Sequence, residues 1–421
     1  MSLQSLLSTV PKKVIVGKSV PVEFEVTRKL LQDQRRPVLF NDLNGGRAVG
    51  NLFSTRESIC GALGIKKEEL PGKLFAAVQT PKVPKLVRSP EFGQLSKVSF
   101  DLTSLPVPKF YPRDGGRYIT SAVAVSEFDG KRNVSFHRLM ILDEKRLAIR
   151  LVPRHLYTMS KRSLAKGKDL PVAFCVGVEP EVLLAAATST DYSQDELEIA
   201  ASLKHECSGK ELDVGRTGGG LLVPSKCEYV LEGRITAETT NEGPFVDITG
   251  TYDDVRRQPV VEIDRVYTRR DPIFHIVLPG GLEHYLLMGL PREPMIFRSV
   301  GQVVPKVHAV RLTEGGCCWL HGVVSITKNK EGDGVNAIMA AFTGHPSMKK
   351  VTIVDEDVDV YDDRMVEWAV ATRFQASRSL VVVNNAAGSS LDPSASTTTS
   401  KVGIDATKPI GGKGFDLARL P

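Results

Sequence analysis

Apolar and polar positions change rhythm three times along this chain. Over residues 1 to about 80, helical and strand spacings are mixed. "RPVLFNDL" (Arg36 to Leu43) has the apolar run of a buried strand. "STRESICGALGI" opens on a Ser/Thr cap and closes on Gly64, which predicts a short helix. Six prolines lie between Pro81 and Pro112, and they exclude a regular helix or a central strand there. This stretch reads as an extended crossing segment, with a domain boundary near its end.

From about 117 to 270 short β-rich runs bounded by turn residues dominate. They are "YITSAVAVSEF", "NVSFHRLMIL", "RLAIRLV", "PVAFCVGV", "CEYVLEGRITAET" and "PVVEIDRVYTRR". Two helices interrupt them, one from His155 ("LYTMSKRSLAKG") and one around Gln194 to Leu203. Many short strands with helical excursions predict a barrel-like β domain. From about 305 the order becomes β-α-β-α. "KVHAVRL", "CCWLHGVVSI", "KKVTIVDEDVDV" and "SLVVVNN" read as strands, and "GVNAIMAAFTG" and "DRMVEWAVATRF" as helices. The stretch "NNAAGSSLDPSASTTTSK" is poor in apolar residues and reads as a loop or strap unless something anchors it. The expected fold class is therefore mixed α/β (α+β): an N-terminal α/β segment (1–115), a central β domain (116–304) and a C-terminal α/β domain (305–421).

Composition narrows the function classes. Lys plus Arg is 55 against 49 for Asp plus Glu, a net +6 spread over 421 residues. That suits small anions and does not call for nucleic acid, and no basic block is interleaved with aromatics. No run of about 18 apolar residues predicts a membrane span, and "MSLQSLLSTVPKKVIVGK" lacks the pattern of a signal peptide. The six cysteines form no C-x-x-C pair, which points to a reducing, cytoplasmic setting.

Asn133, His155 and Glu196 combine an amide oxygen, an imidazole and a carboxylate, a set suited to Mn²⁺ or Mg²⁺. Their spacings are no metal motif, and by spacing alone a capping Asn, a helix-entry His and a solvated Glu is the plainer reading. In "NEGPFVD", Glu242 and Asp247 flank a stiff Gly-Pro-Phe turn, and paired carboxylates can hold a proton for delivery. Two solvated loop acids is the plainer reading. Arg138 follows Asn133 by five residues, so a regular strand would put the two on opposite faces. They share a site only if the strand bulges or a ligand wraps its edge. The glycines of "LNGGRAVG" and "RDGGRY" read first as tight turns, since neither has the spacing of a phosphate loop. Asp355, Asp357 and Asp359 read as an acidic strand face or a helix cap.

Taken in order, "NLFSTRESICGALG", "YPRDGGRYIT", the Arg132–Tyr157 hairpin, "NEGPFVD", "VDEDVDVYDDRMVEWAVATR" and the late "SKVGIDAT" resemble the UbiD family of decarboxylases, over nearly the whole chain. The resemblance implies prenylated FMN as cofactor and a split β-barrel as the flavin-binding centre. It implies a divalent metal, usually manganese, on Asn133, His155 and Glu196, bridging to the cofactor phosphate; Mg²⁺ and a monovalent K⁺ are further options. Arg154 and Lys401 would add charge to that phosphate. Arg138, Glu242 and Asp247 would form the catalytic network, with Asp at 247 where fungal members carry Glu. Arg138 would orient the substrate carboxylate and also border the cofactor, Asp247 would protonate the product, and Glu242 would hold Arg138.

The implied reaction is non-oxidative decarboxylation of an α,β-unsaturated acid. The chain resembles the compact archaeal members, which implies trans-anhydromevalonate 5-phosphate as substrate and isopentenyl phosphate as product of an archaeal mevalonate route. Arg154, Lys161 and Arg162 would suit such a phosphorylated acid, unless they lie on a solvated helix face. A cinnamate-type or aromatic acid, a non-catalytic flavin-binding or assembly subunit, and a metal hydrolase are the alternatives. A flavin prenyltransferase supplying the cofactor and a homo-oligomer, dimer or hexamer, are the implied partners.

Overall fold

A computed structural model describes residues 2–10, 12–87, 95–415 and 418. Residues 88–94, part of the proline-rich crossing segment, lie outside the described residues. The chain divides into two compact units, Met1–Leu287 and Met288–Pro421.

In the first unit, Val38–Leu43 and Gly46–Gly50 form a hairpin whose turn holds Asn44 and Gly45 at positive φ, the tight turn expected of "LNGG". Val14–Val16 adds in parallel on one side, and the distant Ile273–Ile276 on the other. The helix Arg56–Leu63 starts on a capping box between Thr55 and Ser58 and ends on Gly64 at φ 75°, as the pattern predicts.

The central sheet runs in the order Tyr118–Ile119, Leu139–Ile141, Arg146–Ile149, Arg256–Thr268, Tyr229–Glu242, Leu170–Val176, Val123–Phe128, Lys131–Phe136. Lys131–Phe136 is last and Leu139–Ile141 is second, yet only His137 and Arg138 separate them. In a flat sheet six strand spacings would put them about 29 Å apart. The three residue steps from Phe136 to Leu139 span at most about 11 Å. The sheet must therefore curl until its ends approach, which is the split-barrel form. The two end strands are not neighbours in the ladder, so the curl is open. Its interior is filled by Tyr118, Ile119, Leu147, Phe174, Leu231, Val261 and their neighbours, all in one apolar cluster.

The run "NVSFHRLMIL" is thus two strands and not one. Phe136 pairs with Val123, whereas Leu139 pairs with Ile119 and Ile149. The strict alternation that would oppose Asn133 and Arg138 is lost at the break.

The second unit holds a five-stranded sheet ordered Lys306–Leu312, His321–Thr327, Lys350–Asp355, Thr399–Asp405, Leu380–Ala386. Two strands are shorter than the pattern suggests. Cys317 and Cys318 sit at positive φ in a turn before His321. The acidic run leaves the sheet at Asp355, where Asp355 and Asp357 both accept hydrogen bonds from buried Arg373. The polar stretch after Ala386 is anchored: Trp319 donates to Ser389 at 3.1 Å and Lys349 to Asp392 at 2.7 Å. Among the described residues no helix is long and apolar enough to cross a membrane.

Candidate active site

Two polar clusters flank the break at His137–Arg138. The first centres on Arg138. Its Nε and Nη2 donate to the two oxygens of Glu242 at 2.9 and 3.0 Å, a bidentate grip along one edge. Nη1 donates to Asp247 at 3.0 Å, and Nη2 also donates to Asp253 at 3.1 Å. Asp253 in turn accepts from Arg256 at 3.0 Å and lies 3.5 Å from Arg150 Nε. The Arg138 guanidinium stands 4.7 Å over the Phe245 ring, which packs on Tyr118. Glu242 is fully buried, and Asp247 is the most exposed of the three acids at 23%.

Local pairing explains the convergence. Glu242 ends the long strand Tyr229–Glu242 opposite Arg256, and a small ladder follows, with Phe245 opposite Asp253 and Val246 opposite Tyr252. Phe245 and Asp247 are two apart, so they share a face, and Asp253 lies directly across from Phe245. One hairpin therefore presents an aromatic ring and two acids to Arg138. The "RDGGRY" turn braces it: Gly115 N donates to the Pro244 carbonyl at 2.8 Å, and a Cβ at Gly115 would meet the Gly243 carbonyl at 2.3 Å. Burial lowers the Arg138 pKa, but the Glu242 hydrogen bond and the charges of Glu242, Asp247 and Asp253 outweigh it and raise it overall. Burial pushes Asp253 up, but the Arg256 hydrogen bond and the Arg138, Arg256 and Arg150 charges hold it below the usual carboxylate range. Burial and the nearby Glu242 raise the Tyr118 phenol.

The second cluster is Asn133, His155 and Glu196, which the structure does bring together. Asn133 Nδ2 donates to Glu196 Oε1 at 3.2 Å, and His155 Nδ1 lies 3.9 Å from the same oxygen. Glu196 is buried at the start of the helix Glu196–Ser208, where Val134 N donates to Oε2 at 2.8 Å and Thr190 Oγ1 to Oε1 at 3.1 Å. Burial pushes its carboxyl up to about 7, with the Asp195 charge adding and the hydrogen bonds from Val134 N and Thr190 opposing. His155 opens the helix His155–Ala165, and burial together with the Arg154 charge lowers its pKa.

Ser135 Oγ stands 3.0 Å from both Asn133 Oδ1 and His137 Nε2, but it has one proton. His137 Nδ1 lies 3.0 Å from the Arg150 carbonyl, which can only accept, so Nδ1 carries the ring proton. Burial lowers His137 to about 4 and keeps the ring neutral. Nε2 must then accept the Ser135 proton, which leaves an Asn133 Oδ1 lone pair open. An amide oxygen, an imidazole nitrogen and a carboxylate thus meet around a negative charge without a counter-charge, a set that fits a hard divalent cation.

The other expected residues are placed differently. Arg154 is exposed and reaches the second cluster only through its charge on His155. Lys161 and Arg162 lie on the exposed helix face, stacked over Tyr157 at 4.9 Å and Tyr192 at 5.5 Å. Lys401 belongs to the second unit, where its ammonium donates to the carbonyls of Pro346 and of Met348, the latter at 2.7 Å. Sequence reasoning does not find Asp253, Arg150, Ser135 or His284, whose pKa burial lowers and which feels the opposed charges of Asp247 and Arg138. For Asp253 a signal existed: the hairpin register of "FVDITGTYD" puts it across from Phe245.

Three family models cover most of the chain: the UbiD N-terminal domain at residues 16–78, the Rift-related domain at 85–282 and the C-terminal domain at 285–406 of 3-octaprenyl-4-hydroxybenzoate carboxy-lyase. The anhydromevalonate phosphate decarboxylase of Methanocaldococcus jannaschii is 44% identical, covering 97% of both chains. That of Methanosarcina mazei is also 44% identical, covering 97% of this chain and 96% of its own. Among solved structures, the UbiD-class enzyme HmfF of Pelotomaculum thermopropionicum in complex with FMN superposes with a TM-score of 0.95 at 36% identity, over 100% of this chain and 98% of that one. An evolved dimeric form of the same enzyme, in complex with prFMN, gives a TM-score of 0.90 at 34% identity, over 99% and 97%.

Proposed function

The chain belongs to the UbiD family and is a carboxy-lyase, and we propose that it decarboxylates trans-anhydromevalonate 5-phosphate to isopentenyl phosphate. Identity of 41–45% to five archaeal anhydromevalonate phosphate decarboxylases supports the substrate. The observation that carries the chemistry is Arg138, clamped by Glu242 on one edge and facing Asp247 at 3.0 Å.

Prenylated FMN is the cofactor in this reading, and it supplies the electron sink for the pair left behind by CO₂. The protein's own residues do the rest. Arg138 receives the substrate carboxylate and fixes its direction. The C–C bond to the carboxylate breaks, CO₂ departs, and its electron pair stays on the α-carbon. Asp247 passes that carbon a proton and recovers one from water. Glu242 holds the guanidinium so that Asp247 and the substrate meet it from the open side. Asn133 Oδ1, His155 and Glu196 hold a divalent cation, manganese in the family pattern, and Arg154 adds positive charge nearby.

Asp247→Asn should retain flavin after co-expression with a flavin prenyltransferase, yet lose CO₂ release by about 10²–10⁴-fold. Full turnover in that variant refutes the acid role. Wild-type turnover of cinnamate-type acids but not of the phosphorylated acid refutes the substrate.

A further inference from the structure

Arg138 has five N–H donors, and four are already committed: two to Glu242, one to Asp247 and one to Asp253. A carboxylate that is to be held by two donors finds only one free. One resident acid must give way, and the three are not equivalent. Glu242 is fully buried, and leaving Arg138 would strip it of a bidentate partner. Among the described residues Asp247 pairs with no cation but Arg138, and its other oxygen accepts from Ile248 N at 2.7 Å. Asp253 alone has two further guanidiniums, Arg256 at 3.0 Å and Arg150 at 3.5 Å. It can release Arg138 and remain paired. It also competes as an anion, since those guanidiniums keep it ionised.

We propose that Asp253 is a positioning residue that occupies an Nη2 donor of Arg138 in the resting enzyme and cedes it to the substrate carboxylate, shifting onto Arg150 and Arg256. This rests on the reading that Arg138 receives that carboxylate. Asp253 keeps the guanidinium aligned while the site is empty and yields when a competing carboxylate arrives. It sits on the ladder Tyr252–Asp253, opposite Phe245, whose ring faces the guanidinium, so a small pivot toward Arg256 keeps the ladder intact.

The test uses cofactor-loaded enzyme and the saturated analogue of the phosphorylated acid, which has no double bond to react. Calorimetry gives its affinity, and steady-state kinetics give KM and kcat. Asp253→Asn removes the competing charge and should tighten the analogue and lower KM by about fivefold or more, while kcat does not rise. A merely structural residue would move both the other way. Arg256→Gln, on the exposed side, removes an alternative partner and should raise KM about threefold, because Asp253 then clings to Arg138. This second variant carries the test if Asp253→Asn does not fold. Arg138→Gln separates the premises. If it weakens the analogue while Asp253→Asn leaves affinity unchanged or weaker, the exchange role of Asp253 is overturned and the proposed function stands. If Arg138→Gln leaves affinity unchanged, the reading of Arg138 falls, and the inference with it.

Discussion

The two polar clusters lie on either side of the same two-residue break, yet their charges are arranged in opposite ways. Around Arg138, three carboxylates meet three guanidiniums, each within hydrogen-bond or ion-pair distance. Around Glu196, among the described residues, a buried carboxylate accepts from neutral donors, an amide, a hydroxyl and a backbone N–H, with an imidazole 3.9 Å away. Burying charge is costly unless it is paired. The first cluster is therefore complete as it stands and can only exchange one anion for another. The second is incomplete and calls for a cation. The same principle underlies the two proposed roles, substrate carboxylate at one and metal at the other.

The sharpest way to break that contrast is to remove one carboxylate charge from each and compare the signs. Glu242→Gln leaves a buried guanidinium short of its bidentate anion. The expected loss is about 3 kcal/mol of unfolding free energy, together with most of the turnover. Urea denaturation at neutral pH measures the first and CO₂ release the second. An unchanged denaturation midpoint would mean that Asp247 and Asp253 suffice to balance Arg138.

Glu196→Gln should behave in the opposite way. In the metal-free protein it removes an uncompensated buried charge, so stability should hold or rise slightly. Divalent-cation affinity should fall on the order of 100-fold or more, since the only anionic donor is gone. Isothermal titration with Mn²⁺ reads the affinity, and the same urea series reads the stability. Destabilisation of the metal-free variant as large as that of Glu242→Gln would show that Glu196 is balanced by a charge within the protein, and the contrast would fail.

How much of this was legible beforehand follows from the kind of signal each element leaves. The capped helix at Arg56–Leu63 and the turn at Asn44–Gly45 are set by local chemistry, and both could be read directly. The strand break at His137–Arg138 could not. Its cause is the curling of the central sheet, a long-range constraint invisible to alternation. Asn133, His155 and Glu196 came from family resemblance, because spacings of 22 and 41 residues carry no local geometry. Asp253 was overlooked although its hairpin register was available, since "YDD" resembles any solvated turn. What anchors the polar stretch around Ser389 and Asp392 was not legible, because its partners Trp319 and Lys349 lie far away in the chain.

His137 joins the two clusters, and it yields the smallest of the expected effects. Its Nδ1 donates to the carbonyl of Arg150, whose side chain pairs with Asp253, and its Nε2 accepts from Ser135, which stands against Asn133. The ring must stay neutral for that chain of donors to run in one direction. Its folded pKa of about 4 lies below the ordinary 6.5, so the unfolded chain takes up a proton first as pH falls. The associated stability is complete above pH 6.5 and is lost between 6.5 and about 4. The full swing corresponds to about 3 kcal/mol, and the ring's partial solvent contact reduces it to about 1–2 kcal/mol. His137→Gln can keep both hydrogen bonds without titrating. Between pH 7 and 4.5 the wild type should therefore lose about 1–2 kcal/mol more than the variant in urea denaturation. Equal losses would mean that the folded ring takes up its proton as readily as the unfolded one, and so charges as pH falls below 6.5. The Ser135 proton would then be free to turn to Asn133, and the open lone pair that makes the second cluster a cation site would be gone.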